Sequence, residues 1–560
     1  MPAALASCAL SPLDRHNILG KKCVLEALQI YLIMTLIVKP PTGENGNVDV
    51  KVAMADGTVA DVQRLMIKTS ESTLETVYER VASSSQLPPL PGVDPFMLTV
   101  NAHDGEFIIP TSGAGTLDWI VDWGDDVVTR VRTLSDTAHN YKTPGTYQIK
   151  VYPSTASATA WLKVYGFSGY NDNHPAPETG ANSLANRQKV IHVDGKIVPK
   201  MIATAAEIAA NSVGNGVCGR WFFGCTNLTM SDDFTFSGWE NITAVGGQFC
   251  YEMFRNCSGN QFKMGRSFNL PQNIRTIGRN SAHVSINVQQ EAHAFCLRMF
   301  QDCSGSSFTM NDVFTLPQTL IMTGAHFCVC MFRSCRGAAF MMGESFNLPQ
   351  NITKIQEPEV TNEYGHVFES MFSSCSGKAF TMNKILNMPQ GLRHGHLLMG
   401  ARMFYNCSGN AFTMNALFNL PQVMTNTGNG LAYQMFAGCR GNAFTMNKVF
   451  RIPPHLIEKV YSAVHFFSQT FYGCSGSAFQ VNSVLVFKTL SAAELDIERK
   501  DSDGNATPRG AYRNTFSGCT TPQTRTAASI IGNNPTPTQP HNTFGTGFPD
   551  WNSIDPNWRG

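Results

Sequence analysis

The chain has 560 residues, 42 basic and 41 acidic, with a formal net charge of +1 and a pI near 7.5. That length is ample for several domains, and the near-neutral balance excludes the basic profile with which proteins seek nucleic acid or an anionic membrane. Neutral, weakly charged chains of this kind meet proteins or glycans.

Residues 1–33 form a segment of uncertain role. Lys21 and Lys22 precede an apolar run over 27–38, too short to span a bilayer and followed by Lys39-Pro40 rather than by a small-residue cleavage site. Leu5-Ala6-Ser7-Cys8 has the form of a lipoprotein box, with no long apolar region ahead of it. Two readings stand here, a signal peptide or a true start at Met34, because 34–38 already reads as a strand. Residues 34–82 are expected to be a small β-rich module: Val48, Val50 and Val52 alternate with polar residues, Asp56-Gly57 is a hairpin turn, and a helix is placed over 73–82. Ser83-Ser84-Ser85 and Pro88-Pro89-Leu90-Pro91-Gly92 make 83–95 a linker.

Residues 96–165 read as a second β module, with strands at 96–100, 119–121, 147–151 and 161–164. Asp122-Trp123-Gly124-Asp125 and His139-Asn140-Tyr141 before Pro144-Gly145-Thr146-Tyr147 resemble the PKD-type immunoglobulin-like fold, an extracellular spacer, with Asp126 where that family has glycine. Asp122, Asp125 and Asp126 are read as an acidic turn beside a structural tryptophan, the alternative being a weak calcium site. Residues 166–217 are a connector, and a helical stretch near 202–210 is placed to cap the region from 218 onward.

From 218 to 525 a recognisable version of one pattern, Met-Phe-x-x-Cys followed by Ser-Gly, returns nine times, with Trp221-Phe222 and Thr515-Phe516 in place of Met-Phe at the two ends. Its cysteines are Cys225, Cys257, Cys303, Cys335, Cys375, Cys407, Cys439, Cys474 and Cys519, with successive differences of 32, 46, 32, 40, 32, 32, 35 and 45. A constant 32 with insertions is a tandem array whose units bury their apolar face only by stacking. Within a unit, Phe327, Cys328, Met331, Phe332 and Cys335 have the spacing of one helical face. A glycine two residues beyond the cysteine (Gly259, Gly305, Gly337, Gly377, Gly409, Gly441, Gly476) is read as a left-handed helix cap. A short strand comes next, as in Phe412-Thr413-Met414-Asn415, with a break at the Asn or Gly after Met, the two residues most tolerant of positive φ. Pro271, Pro317, Pro349, Pro389 and Pro421 then end it.

These units resemble the leucine-rich repeats of BspA-like bacterial surface proteins, whose Ala-Phe-x-x-Cys, Ile-Pro and Ile-Gly positions are taken by Met299-Phe300-x-x-Cys303, Leu270-Pro271 and Ile277-Gly278. The unit is longer than in that family, and Phe and Met replace many leucines. The fold class expected is a repeat solenoid of leucine-rich-repeat type, a short helix plus a short strand per 32-residue unit, preceded by small β-sandwich modules. The resemblance implies adhesion and host binding.

The nine cysteines form one internal column with units about 5 Å apart, and are read as small buried hydrophobes; their odd number and the lack of histidine at ligand spacing weigh against a disulfide ladder or metal sites. Insertions near 279–292, 355–366 and 491–510 fall at one place in the unit and should project from one edge. The last carries the candidate partner-binding residues Glu498, Arg499, Lys500 and Asp501, otherwise a solvated charged loop. Residues 526–560 are a C-terminal cap or tail ending in Trp551 and Trp558.

No paired carboxylates, nucleophile elbow, phosphate loop or metal motif stands in a repeated setting, so no catalytic residue, metal or cofactor is expected. The function expected is that of a non-enzymatic cell-surface or secreted adhesin that binds a protein or glycan ligand, with no nucleic-acid partner and no membrane span. The alternatives are a structural subunit of an extracellular appendage or phage-like fibre and, more remotely, a glycan-active enzyme assembled across turns.

Overall fold

The computed structural model describes the backbone of 22–27, 30–39, 49–53, 59–61, 64–70 and 73–79, and then residues 93–560 apart from 104, 112–116, 163–180, 182, 279–293, 325, 356–365, 396–397, 426–428, 457–464, 497, 501–505, 509, 540 and 560. The chain divides into two compact units, Met1–Pro88 and Pro89–Gly560.

The first unit holds an antiparallel meander of β1 (Lys22–Ala27), β2 (Ile30–Lys39), β3 (Asp49–Ala53) and β4 (Val59–Asp61), and a hairpin of β5 (Arg64–Ser70) and β6 (Thr73–Glu79). Met34 lies inside β2, paired with Cys23. The hairpin turn expected at Asp56-Gly57 lies outside the described residues; the strands on either side of it pair Lys51 with Asp61. Residues 73–79 are strand rather than helix. Thr73, Thr76, Val77 and Tyr78 are β-branched or aromatic and favour a pleated backbone, and Glu79 pairs with Arg64.

The second unit opens on β7 (Phe96–Asn101), β8 (Glu106–Ile108), β9 (Trp119–Asp122), β10 (Val128–Val131), β11 (Ala138–Asn140) and β12 (Thr146–Pro153). Alternate residues of β7, namely Phe96, Leu98 and Val100, face the core with Trp119, Val121, Ile149 and Val151. Residues 161–162 are not strand, and 163–164 fall outside the described residues. This sheet does not end with residue 165. After α1 (Leu184–Lys189), β13 (Val190–Asp194) adds to β7, and β16 (Thr229–Met230), from the first repeat, adds in parallel to β13. The six strands run β10-β9-β12-β7-β13-β16, so module, connector and array share one hydrogen-bonded sheet. Next to it β14 (Lys196–Ile197) pairs with β17 (Thr235–Phe236), and α2 (Pro199–Ile202) and α3 (Ala205–Ala209) lead to β15 (Ser212–Val213).

The repeats stack in register. β15, β18 (Ala244–Gly246) and β19 (Thr276–Gly278) pair in parallel, as do β20 (Met322–Thr323) and β21 (Lys354–Ile355). Strands cover only this small part of each unit. The segment before the cysteine, expected to be helical, is instead a ribbon of turns. Met331, Arg333 and Cys335 donate their N–H groups three residues back, to Cys328, Cys330 and Phe332, whereas Cys330, Phe332 and Ser334 donate to Glu369, Met371 and Ser373 of the next unit at 2.8–2.9 Å. His326, Cys328, Cys330 and Ser334 take φ of 54–60°. A helix would spend every N–H on itself; the ribbon spends half of them on its neighbour, and those bonds offset the ~1–2 kcal/mol that a left-handed L-residue costs.

The glycines are not left-handed caps either: none of the seven has positive φ, and each lies against the preceding unit. A Cβ on Gly409 would sit 2.4 Å from the carbonyl oxygen of Gly377, and one on Gly305 would sit 2.0 Å from that of Gly259. Glycine is demanded by the approach of two backbones. The Asn positions, read above as breaks at positive φ, lack it as well and are ladder residues. Asn415 Nδ2 donates to the Asn383 and Leu386 carbonyls at 2.7 and 2.8 Å, while its Oδ1 accepts from the N–H groups of Leu417 and Phe418. Asn419 and Gln422 extend the pattern, joining units through side chains where strands would use backbone.

The core is phenylalanine in columns. Phe254, Phe300, Phe332, Phe372, Phe404, Phe436 and Phe471 stack with centroids 5.2–5.4 Å apart, and Phe308, Phe340, Phe380, Phe412 and Phe444 form a second column at 5.3–5.5 Å. The last unit is covered by the chain's own end. Asn514 and Phe516 donate to His541 and Thr543, Thr543 donates to Trp558, and Phe544 and Trp558 are buried. Trp551 packs partly buried against the same core, and α4 (Ala492–Leu495), the hairpin of β22 (Glu498–Lys500) and β23 (Ala506–Pro508), and α5 (Ala528–Ile531) complete this end.

Candidate interaction surfaces

The repeated cysteines lie in the interior. All nine are buried and free, and from Cys257 onward each thiol donates to the carbonyl of the preceding unit's phenylalanine, as Cys407 Sγ does to Phe372 at 3.2 Å and Cys257 Sγ to Phe222 at 3.1 Å. The same carbonyl already accepts the N–H of the cysteine in its own unit, so the thiol takes the second lone pair. Burial pushes Cys257, Cys303, Cys335, Cys407 and Cys474 well above the ordinary thiol range. A thiol held protonated is a poor nucleophile and a poor metal ligand. This column therefore holds the rungs together and offers nothing to a partner.

Sequence reasoning missed a second column. Cys218, Cys250, Cys296 and Cys328 stand seven residues before their partners in the first, buried and free; Cys250 N–H donates to Val217 and Cys328 N–H to Phe295. The repeated C-x6-C spacing was the signal for it. Beside it lies a buried charge, Glu252, whose carboxylate meets Arg220 Nε at 2.8 Å and Arg298 Nη1 at 3.3 Å, with Arg255 also paired. Three guanidiniums from three units compensate one buried carboxylate, as burial of an ion requires.

In the N-terminal module, Asp122 Oδ1 accepts from Gly124 N–H at 3.0 Å, Asp125 pairs with His139 Nε2 at 2.7 Å, and Asp126 takes φ of 67°. The His139 ring stacks on Trp123 with centroids 4.9 Å apart, and Tyr141 Oη donates to the Trp123 carbonyl. Desolvation raises the Tyr141 hydroxyl. Two of the three carboxylates are thus engaged in shaping the turn. No group of three or more His, Cys, Asp or Glu side chains able to hold a metal occurs among the described residues.

What is left for partners is the outside of the stack. Glu498, Arg499 and Lys500 form β22, paired with Pro508, Thr507 and Ala506, so these candidates lie along one strand of a hairpin; Asp501 lies outside the described residues, as do most of the insertions at 279–292 and 355–366. Thr381 and Thr413, on adjacent units, share a hydroxyl hydrogen bond of 3.1 Å in a partly exposed column that also holds Thr309 and Thr445. Two residues beyond each ladder Asn is a fully outward position occupied by Val313, Ile385, Leu417, Val449 and Val484, each 41–53% exposed. Aligning the units on Asn rather than on Cys makes that column visible in the sequence.

No helix among the described residues is long and apolar enough to cross a membrane. No family model matches the chain, and no curated protein is significantly similar to it.

Proposed function

We propose that this chain is a non-enzymatic binding protein of the cell surface or the secreted space, a leucine-rich-repeat-type solenoid of BspA-like kind behind a PKD-like module, which holds protein or glycan ligands on its extended outer columns and projecting loops. The observation that carries this reading is the division of labour within the unit. Cysteine, glycine, Asn and Phe positions are consumed by rung-to-rung contacts, whereas the large insertions all fall at one place in the unit. A rigid scaffold with variable loops is how binding proteins separate stability from recognition.

The test is biosensor binding of the full chain, and of a chain with 279–292, 355–366 and 498–508 replaced by short Gly/Ser links, to a panel of matrix proteins and glycans. Saturable binding by the first and its loss in the second is the expected result. A folded protein silent across the panel would overturn the proposal and move weight to the structural-subunit reading.

A further inference from the structure

The outward column and its neighbour make a self-complementary stripe. In chain order the first eight of the nine units carry Asp232-Asp233, Arg266-Ser267, Asp312-Val313, Glu344-Ser345, Lys384-Ile385, Ala416-Leu417, Lys448-Val449 and Ser483-Val484 at these two positions. From Asp312 onward all are exposed. The phenylalanine rings directly behind the stripe are nearly parallel, with interplanar angles of 8° for Phe268 and Phe314, 2° for Phe314 and Phe346, and 6° for Phe418 and Phe450. Adjacent units are therefore stacked with little tilt at these three joints.

We infer that this stripe docks against a second copy of the chain, antiparallel, about a two-fold axis crossing it between Ile385 and Leu417. A two-fold of this kind sets each position against a partner that meets it reciprocally. Ile385 then faces Leu417, Ser345 faces Val449, and Val313 faces Val484, while Glu344 faces Lys448. Asp312 meets Ser483 and Lys384 meets Ala416, so no like charges are opposed along six units. Among the neighbouring placements this is the one that sets opposite charges face to face without opposing like ones; an axis one unit later, between Leu417 and Val449, opposes no like charges but forms no opposite pair either. An axis one unit earlier sets Arg266 against Lys448, an axis through the Glu344 unit sets that carboxylate against itself, and one through the Lys384 unit does the same for the ammonium. The opposite charges of Glu344 and Lys448, equidistant from that axis, make the stripe complementary to itself and set the orientation.

The stripe is small. Six units at roughly 5 Å each and a width of about 10 Å give about 300 Å² per copy, well under the roughly 800 Å² of a standard interface. The association is accordingly a weak, reversible one. It does not depend on the adhesin reading.

Sedimentation velocity of the full chain between about 1 and 100 µM tests it. The expected result is a monomer–dimer equilibrium that Leu417→Asp weakens at least tenfold and Lys448→Glu weakens severalfold. The double variant Lys448→Glu/Glu344→Lys restores it, since both copies then carry the exchanged pair. All three positions are exposed, and melting curves unchanged from wild type would confirm that the fold is intact. A monomer throughout the range, open-ended oligomers, a dimer indifferent to Leu417→Asp, or failure of the charge exchange to restore association would overturn the inference.

Discussion

The close approach at the glycine column makes a sharp prediction for Gly409→Ala. The new Cβ would lie 2.4 Å from the Gly377 oxygen, inside any tolerable carbon–oxygen contact, so the two units must part by the better part of an ångström. Overpacking of a tight core costs about 1–3 kcal/mol. The hydrogen bonds nearest the contact, including Ser408 N–H to the Cys375 carbonyl at 3.3 Å, stretch as well, at about 1 kcal/mol each; the sum is about 3–5 kcal/mol. Gly473 is the control: it has φ of 64°, and a Cβ there would meet nothing within 4 Å, so Gly473→Ala costs only the left-handed strain of about 1–2 kcal/mol. Urea unfolding followed by circular dichroism, with hydrogen exchange over 372–445 to localise the loss, measures both. Gly409→Ala should be clearly the more damaging, with exchange quickened in the units on either side of residue 409. If it costs no more than Gly473→Ala, the argument from backbone approach is wrong.

Asn415→Ala removes two donors and leaves the Leu417 and Phe418 amides unpaired, and should cost about 2–4 kcal/mol by the same unfolding assay. Cys407→Ser places a hydroxyl where a thiol meets the Phe372 carbonyl at 3.2 Å. Its shorter reach and greater polarity should cost about 1–3 kcal/mol, and an unchanged melting curve would contradict the ladder. His541 is buried in the C-terminal cap, and burial lowers its pKa below the usual 6.5 despite the opposing Asp496, with Arg513 adding to the depression. The unfolded chain therefore takes up a proton that the folded chain refuses. Stability should be flat above about pH 6.5 and fall as pH drops below it, and His541→Gln should flatten melting temperatures measured from pH 7.5 to 5.

Much of this was legible in the residues, and the failures share a cause. The cysteine register located every unit, because a buried column must repeat at the period of the stack. The spacing of Phe327, Cys328, Met331, Phe332 and Cys335 suggested a helix because apolar periodicity reports which residues face inward and says nothing of where an N–H finds its acceptor. Here half the acceptors lie a whole unit away. Gly409 and Asn415 were recognised as special for the wrong reason. Positive φ and close approach both ask for glycine, and positive φ and side-chain laddering both admit asparagine, so residue type alone cannot separate them. A helix was expected over 73–82, and the β-branched and aromatic side chains among 73–79 decided for strand. The outward stripe escaped notice because units were aligned on what they bury.

Side-chain ladders also free the array from its own loops. The ladder Asn of one unit reaches the matching carbonyl of the unit before it at 2.5–2.7 Å whether 32, 35, 40 or 46 residues of chain lie between them, so the intervening length is irrelevant to the join. Units are in that sense interchangeable cassettes. Phe372 presents to Phe404 the same face that Phe404 presents to Phe436, and a whole period could be gained or lost with the joints on either side closing as before. A lineage carrying such a scaffold can lengthen its outer surface or rewrite its loops by recombination between units, without having to re-solve the problem of a core.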